Sequence, residues 1–206
     1  MLKQFFLLNI ILIIMFLLLN SCANQQNKTV QQEYAIKIAV QNNSNQNGGG
    51  DSMKLTSSAF QNNAEIPSKY TCDGEGISPP LEIKDVPKNA KSMVLIMDDP
   101  DIPAFVKEKY NIDVWDHWIL FNIPTGTAKI EEGKNPNGIL GVNSRGNNSY
   151  GGPCPPDAQH RYFFKLFALD VMLSLKEGAI KKEIIAAMQT HILAEAELMG
   201  LYERNK

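Results

Sequence analysis

The apolar residues of the chain gather into a few short runs that are typical of buried strands. "SMVLIMDD" (92–99) is an apolar run between polar turns, and "VWDHWILFNIP" (114–124) is a second one, rich in β-branched and aromatic residues. Both runs predict buried strands. "HRYFFKLFALDV" (160–171) alternates with a period of two, but both of its faces are mostly apolar. This pattern predicts a central strand with both faces covered.

Shorter segments complete a mainly β picture. Alternation at 53–60 and 81–87 predicts two further strands. The stretch 174–191 carries a helical apolar stripe and predicts one helix, which begins just after Gly178. The last run, 192–204, has a helix-forming composition but alternates with a period of two. Its pattern alone does not decide between helix and strand.

The N-terminus has the plan of an export signal. Lys3 is followed by an apolar run, Phe5 to Leu19, that is short for a membrane span, and then by "LNSC" at 19–22. "LNSC" resembles a bacterial lipobox, in which the cysteine is acylated, for example by palmitate, and becomes the mature N-terminus. We therefore predict a lipoprotein signal peptide at 1–21 and lipidation of Cys22, with an uncleaved anchor and plain secretion as alternatives.

A lipidated chain lies on a membrane of the bacterial cell envelope, with its domain outside the cytoplasm. Residues 22–52 are rich in Asn, Gln and Gly, which predicts a flexible tether; "YAIKIAV" (34–40) inside it is a weak strand pattern. The folded domain is predicted at 53–206. In an oxidising space Cys72 and Cys154 are a natural disulfide pair, and two buried thiols are the alternative.

Charge excludes one class of partner. The formal net charge is −2 and no cluster of Lys or Arg stands out, so a nucleic-acid partner is not predicted.

Three polar segments stand at the ends of predicted strands: "DDPDIP" (98–103), "WDHW" (115–118) and "YGGPCPPDAQHRY" (150–162). Taken singly, each has an ordinary structural explanation, such as a rigid turn or a core histidine. Together they bring carboxylates, imidazoles, an arginine and a phenol to the same end of a sheet. Such a cluster is costly in a core and is typical of a site for a polar ligand.

These segments, with "TCDG" before them and "GLYER" after them, closely resemble the phosphatidylethanolamine-binding protein family, and more narrowly its bacterial Raf-kinase-inhibitor-like branch. The resemblance runs from about residue 53 to 204. It implies a mainly β fold, an antiparallel β-sandwich with a few short peripheral helices, in which the last run is a strand. Asp116 and the insertion "AFVKEKYNIDV" (104–114) depart from the family pattern, and both are expected to reshape the rim of its cavity.

The resemblance also implies a small cavity for phosphate, a phospholipid headgroup or a carboxylate. Carried over by motif position, the ligand-binding residues are Asp99, Asp101, Pro103, His117, Gly152, Pro155, Pro156, His160 and Tyr162. We expect Asp99 and Asp101 to accept hydrogen bonds from the imidazoles and raise their pKa, so that protonated histidines meet the anion. Arg161 is expected to point away and pair with an aspartate.

The leading hypothesis is a membrane-tethered binding protein without catalytic residues, cofactor or metal, which further inhibits a kinase or protease partner. One alternative is a metal-dependent hydrolase that uses the His and Asp cluster, although neither a His-Glu-x-x-His nor a Gly-x-Ser-x-Gly motif is present. Another is a purely protein-binding envelope module that uses the insertion as its contact surface.

Overall fold

The structure, a computed structural model, describes residues 52–204. This part of the chain contains nine strands, two α-helices and one short 3₁₀ helix at Ser68–Tyr70. The strands are β1 (Lys54–Thr56), β2 (Ala64–Glu65), β3 (Leu81–Lys84), β4 (Ser92–Asp99), β5 (Trp115–Ile123), β6 (Lys129–Ile130), β7 (Ile139–Leu140), β8 (His160–Leu169) and β9 (Ile192–Tyr202). The α-helices are α1 (Ala104–Tyr110) and α2 (Lys181–Met188). The predicted signal peptide, the lipidated Cys22, the tether and the weak strand pattern at 34–40 lie outside the described residues.

The strands form two sheets around one core. The larger sheet has the order β2-β9-β8-β4-β5-β7, and the smaller one has the order β1-β3-β6. Leu55 and Leu81 of the smaller sheet belong to the same apolar cluster as Leu95 and Phe164 of the larger sheet. The predicted fold class is confirmed. The larger sheet is mixed, however, because β2 runs parallel to β9.

Burial on both faces explains the long apolar runs of the central strands. All residues of β4 are buried. One face of the larger sheet meets the core, and the other is covered by α2, whose Ile184 and Met188 are fully buried. As predicted, the helix begins after Gly178, and the Glu183 carboxylate accepts a hydrogen bond from the backbone N–H of Ile180 at 3.0 Å.

Helix α1 lies in the insertion and was not predicted from the sequence. It has only seven residues and buries none of them, so the segment is too short for a helical apolar period to be read from the sequence. It begins after Pro103, which fixes the backbone angle φ at its N-terminus, and it ends at Asn111 in the left-handed conformation, with φ of 53°. Within residues 52–204 no helix is both long and apolar enough to cross a membrane.

Candidate ligand-binding site

Three strands meet at one end of the larger sheet and bring the predicted polar residues together. The last residue of β4, Asp99, is paired with Trp115 at the start of β5. On its other side, β4 is antiparallel to β8, which begins at His160. Because antiparallel neighbours run in opposite directions, the end of β4 lies beside the starts of both partners. Asp99, His117 and His160 therefore lie at one end of the sheet, as the order of the strands predicted.

A bulge in β5 turns His117 toward this end. Met97 pairs with Trp118 and Asp98 pairs with Asp116, so His117 is an extra residue between two registered pairs. A bulge redirects the side chains beside it and is common next to functional sites. As a result His117 and Trp115 both line the cavity described below, while the Asp116 side chain lies on the opposite face of the sheet and contacts Lys181.

His117 is a neutral imidazole. It is 4 % exposed, its ring meets the Tyr162 ring edge to face at 5.2 Å, and its Nδ1 lies 2.6 Å from the Gly151 carbonyl oxygen. Because a carbonyl only accepts, Nδ1 carries the proton and donates to it, which leaves a lone pair on Nε2. Burial lowers the pKa of His117 to about 4. The expectation that both histidines are protonated is therefore wrong for this one.

His160 has the opposite character, because both of its nitrogens meet carboxylates. Nδ1 donates to Asp99 Oδ2 at 2.8 Å, and Nε2 donates to Asp157 Oδ1 at 2.9 Å. Burial lowers the pKa of His160, but the hydrogen bonds to Asp99 and Asp157 outweigh burial, so its pKa is raised. The predicted role of Asp99 is found here. Asp157 was not predicted as a partner of the imidazole.

The histidines border a cavity of about 250 Å³. Five of the nine residues predicted for the site line it: Asp99, His117, Pro155, Pro156 and His160. The insertion supplies much of the remaining wall, as the departure from the family pattern predicted. The additional lining residues are Ile102, Phe105, Val106, Lys109, Tyr110, Trp115, Arg145 and Cys154.

The other four predicted residues lie beside or behind the cavity. Asp101 accepts two hydrogen bonds from the guanidinium of Arg161, at 2.8 and 2.7 Å, so it does not serve an imidazole as predicted. Arg161 itself pairs with an aspartate, as expected. Pro103 precedes α1, and its carbonyl oxygen accepts from the N–H of Val106. Tyr162 is fully buried beneath the two imidazoles, and its hydroxyl has no hydrogen-bond partner among the described residues.

The fourth residue, Gly152, belongs to a rim loop that is fastened to residues 70–72. A Cβ at Gly152 would lie 2.9 Å from the Tyr70 carbonyl oxygen, so only glycine allows this approach. Cys72 and Cys154 are joined in a disulfide with their Cα atoms 5.4 Å apart, and the Cys72 N–H donates to the Pro153 carbonyl oxygen. These ties hold Pro155 and Pro156 in the cavity wall.

A comparison with known proteins agrees with this geometry. The family model described as "Phosphatidylethanolamine-binding protein" matches residues 56–203. The chain belongs to the phosphatidylethanolamine-binding protein family.

Two relatives match over nearly their whole length and cover about three quarters of this chain. A UPF0098 protein of Chlamydia trachomatis is 49% identical over 153 residues, which cover 74% of this chain and 100% of the relative. A UPF0098 protein of Aquifex aeolicus is 46% identical over 165 residues, covering 76% and 92%.

Solved structures of the family share the fold. The crystal structure of a putative phosphatidylethanolamine-binding protein homolog, CT736 of Chlamydia trachomatis, has a TM-score of 0.71 and 49% identity, and it covers 75% of this chain and 99% of that one. YbcL of E. coli, described as a new member of the mammalian family, has a TM-score of 0.67 and 26% identity, with coverage of 75% and 100%.

Arg145 is a charged lining residue that lies outside every segment predicted to form the site. It lies in a loop that Asn143, a buried side chain, organises by accepting from the N–H groups of Arg145 and Asn147 at 2.9 and 3.1 Å. Its positive charge contributes to the low pKa of His117. Arg145 forms no ion pair with any carboxylate of residues 52–204. The one sequence signal was its position in the long irregular segment 125–159, since such segments are often functional.

Asp116 does not reshape the cavity rim, contrary to expectation. Its carboxylate accepts from Lys181 of α2 at 2.8 Å, and the same ammonium donates to Asp98 at 2.9 Å. Asp98 and Asp116 are directly opposite each other on β4 and β5, where like charges repel. Lys181 lies between them and offsets this repulsion, so the cluster fastens α2 to the sheet and leaves the cavity to the other face.

The donor groups of the cavity suit binding of an anion. Arg145 and Lys109 present cationic hydrogen-bond donors, and His117 Nε2 presents an acceptor. Within residues 52–204, no group of three or more His, Cys, Asp and Glu side chains is arranged to hold a metal ion.

Proposed function

We propose that the domain binds a small anion in this cavity without transforming it, the candidates being phosphate, a phospholipid headgroup and a carboxylate. The observation that carries the proposal is Arg145, a cation that lines the cavity beside buried His117 and has no ion-pair partner among the described residues. The family name, which refers to binding of a phospholipid, supports the same class of ligand.

The contacts suggest how an anion would be held. Arg145 would offer its planar fork of donors to two oxygens, and Lys109 would add a second charge from the rim. His117 Nε2 can only accept, so it would suit a ligand oxygen that carries a proton. An anion that takes His160 Nε2 would first have to displace the Asp157 carboxylate from it. The histidines thus set the geometry, while Arg145 and Lys109 supply the attraction.

Arg145→Gln is expected to weaken phosphate binding about tenfold. A hydrogen bond to a charged group contributes roughly 1.5–3 kcal/mol, and Arg145 is exposed, which places its contribution at the lower end of this range. The matched control is Lys88→Gln, which also removes one positive charge. Lys88 is exposed and precedes Ser92, the end of β4 that lies away from the cavity. Calorimetric titration of the full chain with inorganic phosphate, phosphoethanolamine and acetate measures the effect and separates the three candidate ligands.

Equal weakening by both substitutions would show a general charge effect and would contradict a site at Arg145. Absence of measurable binding of all three probes to the wild-type chain would overturn the proposed function.

We further propose that acylation of Cys22 tethers the domain to a membrane of the bacterial cell envelope. There the domain, with or without a bound anion, inhibits a kinase or protease partner. The support for the tether is the predicted export signal and the lipobox-like "LNSC" at 19–22. The support for inhibition is the resemblance of residues 53–204 to the Raf-kinase-inhibitor-like branch of the family. Two acyl chains are sufficient to hold a soluble domain on a bilayer, whereas one is marginal.

Cys22→Ser is expected to move the protein from the membrane fraction to the soluble fraction of a bacterial host, because the acylated side chain is lost. Fractionation followed by immunoblotting measures this, and mass spectrometry of the wild-type N-terminus tests for the acyl groups. Ser21→Ala serves as the control and is expected to leave the protein in the membrane fraction. An unchanged distribution of the Cys22→Ser variant would refute lipid anchoring.

A further inference from the structure

Helix α1 gives the cavity an apolar part that a small anion does not need. At roughly 30 Å³ per water molecule, the cavity of about 250 Å³ has room for about eight waters, so a tetrahedral oxyanion would fill only part of it. Apolar side chains in its wall outnumber the charged and titratable ones, which are Asp99, Lys109, His117, Arg145 and His160. The rest of the cavity is bounded by apolar side chains, and a ligand that removed them from water would bind more favourably.

Two of these side chains are unusually exposed. Phe105 is 59% exposed and Tyr110 is 47% exposed, and both line the cavity. Among the described residues, four large apolar side chains are exposed to this degree, and two of the four lie on this one short helix. A ligand beside α1 would therefore remove apolar surface from water that the fold itself leaves uncovered.

The shape of this wall suits a flat group. The rings of Tyr110 and Trp115 meet edge to face, with centroids 5.0 Å apart and an angle of 88°, and Pro155 and Pro156 belong to the same wall. An aromatic ligand ring can add to such a pair by stacking or by edge contact. A flexible chain would lose more conformational freedom in the same place.

The charges define the other end of the ligand. Lys109 lies over the Tyr110 ring at 5.1 Å, and Arg145 lines the same cavity. If the ring of a ligand contacts α1, its acidic group would therefore lie near the two cations, Lys109 and Arg145.

We propose that α1 and Trp115 form an aromatic subsite, and that the preferred ligand class is an anion attached to an aromatic ring, such as an aryl phosphate. This inference rests on the proposed anion site and adds a second contact to it. The selective element is the insertion at 104–114, because it supplies Phe105, Val106, Lys109 and Tyr110.

The test compares phenyl phosphate, hexyl phosphate and inorganic phosphate by calorimetric titration of the full chain. The wild-type chain should bind phenyl phosphate at least tenfold more tightly than inorganic phosphate, and more tightly than hexyl phosphate. Phe105→Ala and Tyr110→Ala should each lower the ratio of the affinity for phenyl phosphate to the affinity for inorganic phosphate several-fold. Met172→Ala, which also removes an exposed large apolar side chain but does not line the cavity, should change neither value.

Equal binding of phenyl and inorganic phosphate, with both weakened by Arg145→Gln, would overturn the aromatic subsite and leave the anion site in place. Equal binding of hexyl and phenyl phosphate would overturn the preference for a ring. If neither inorganic nor phenyl phosphate binds, the proposed anion site itself is wrong and the subsite falls with it.

Discussion

Replacing Cys72 and Cys154 together by serine is expected to lower the free energy of unfolding by about 4 kcal/mol. The disulfide joins residues 82 positions apart, and a cross-link that closes a loop of this length removes much of the freedom of the unfolded chain. On the chain-entropy model a loop of this length contributes roughly 4.5 kcal/mol. The hydrogen bond from the Tyr150 hydroxyl to the Tyr70 carbonyl oxygen, at 2.8 Å, survives in the variant and keeps the loops together once folded.

Urea unfolding of the wild-type and double-serine chains, without and with a reductant, measures this effect. Reductant should bring the wild-type chain to the stability of the variant and should leave the variant itself unchanged. Cys22 is present in both chains and does not contribute to the difference. A difference below about 1 kcal/mol between oxidised wild-type and variant chains would show that the cross-link does not constrain the unfolded state.

The fold could be predicted from the sequence wherever burial dictated the pattern. The segment 92–99 coincides with β4, because all of its residues are buried. The predicted strand at 53–60 shrinks to β1, Lys54–Thr56, because the turn that follows contains residues that alternate without pairing. The two-residue strands β2, β6 and β7 leave too few positions for any period to be read. The last run was ambiguous by composition, and the partner β8 decides it as strand β9.

The residues of the site likewise divide into those that a strand pattern predicts and those that it does not. That Asp99, His117 and His160 meet at one end of the sheet follows from antiparallel order, which a strand prediction already contains. The bulge at His117 arises from a register shift between β4 and β5, and a single strand sequence does not show it. Asp157 and Arg145 come from irregular loops, where position depends on hydrogen bonds such as those of Asn143 and not on a repeating pattern.

Stability between pH 7 and pH 5 is expected to depend strongly on His117. Its pKa is about 4 in the folded protein and about 6.5 in an unfolded chain. Between these values the unfolded state binds more protons, so stability falls as the pH falls, beginning near pH 6.5 and ending near pH 4. From pH 7 to pH 5 this one group accounts for a loss of about 2 kcal/mol.

His117→Asn tests this, because asparagine can still donate to the Gly151 carbonyl oxygen but does not titrate. Unfolding free energies of both proteins from pH 8 to pH 4.5 give the wild-type minus variant difference, in which other groups that titrate in this range largely cancel. His160 acts at higher pH. Because its pKa is raised, its contribution to the free energy of unfolding is full below pH 6.5 and is lost as the pH rises through the folded value.

The wild-type minus variant difference should be nearly constant above pH 7 and shrink by about 2 kcal/mol by pH 5. A difference that does not change with pH would mean that His117 titrates in the folded protein as it does in an unfolded chain, and that burial does not hold it neutral.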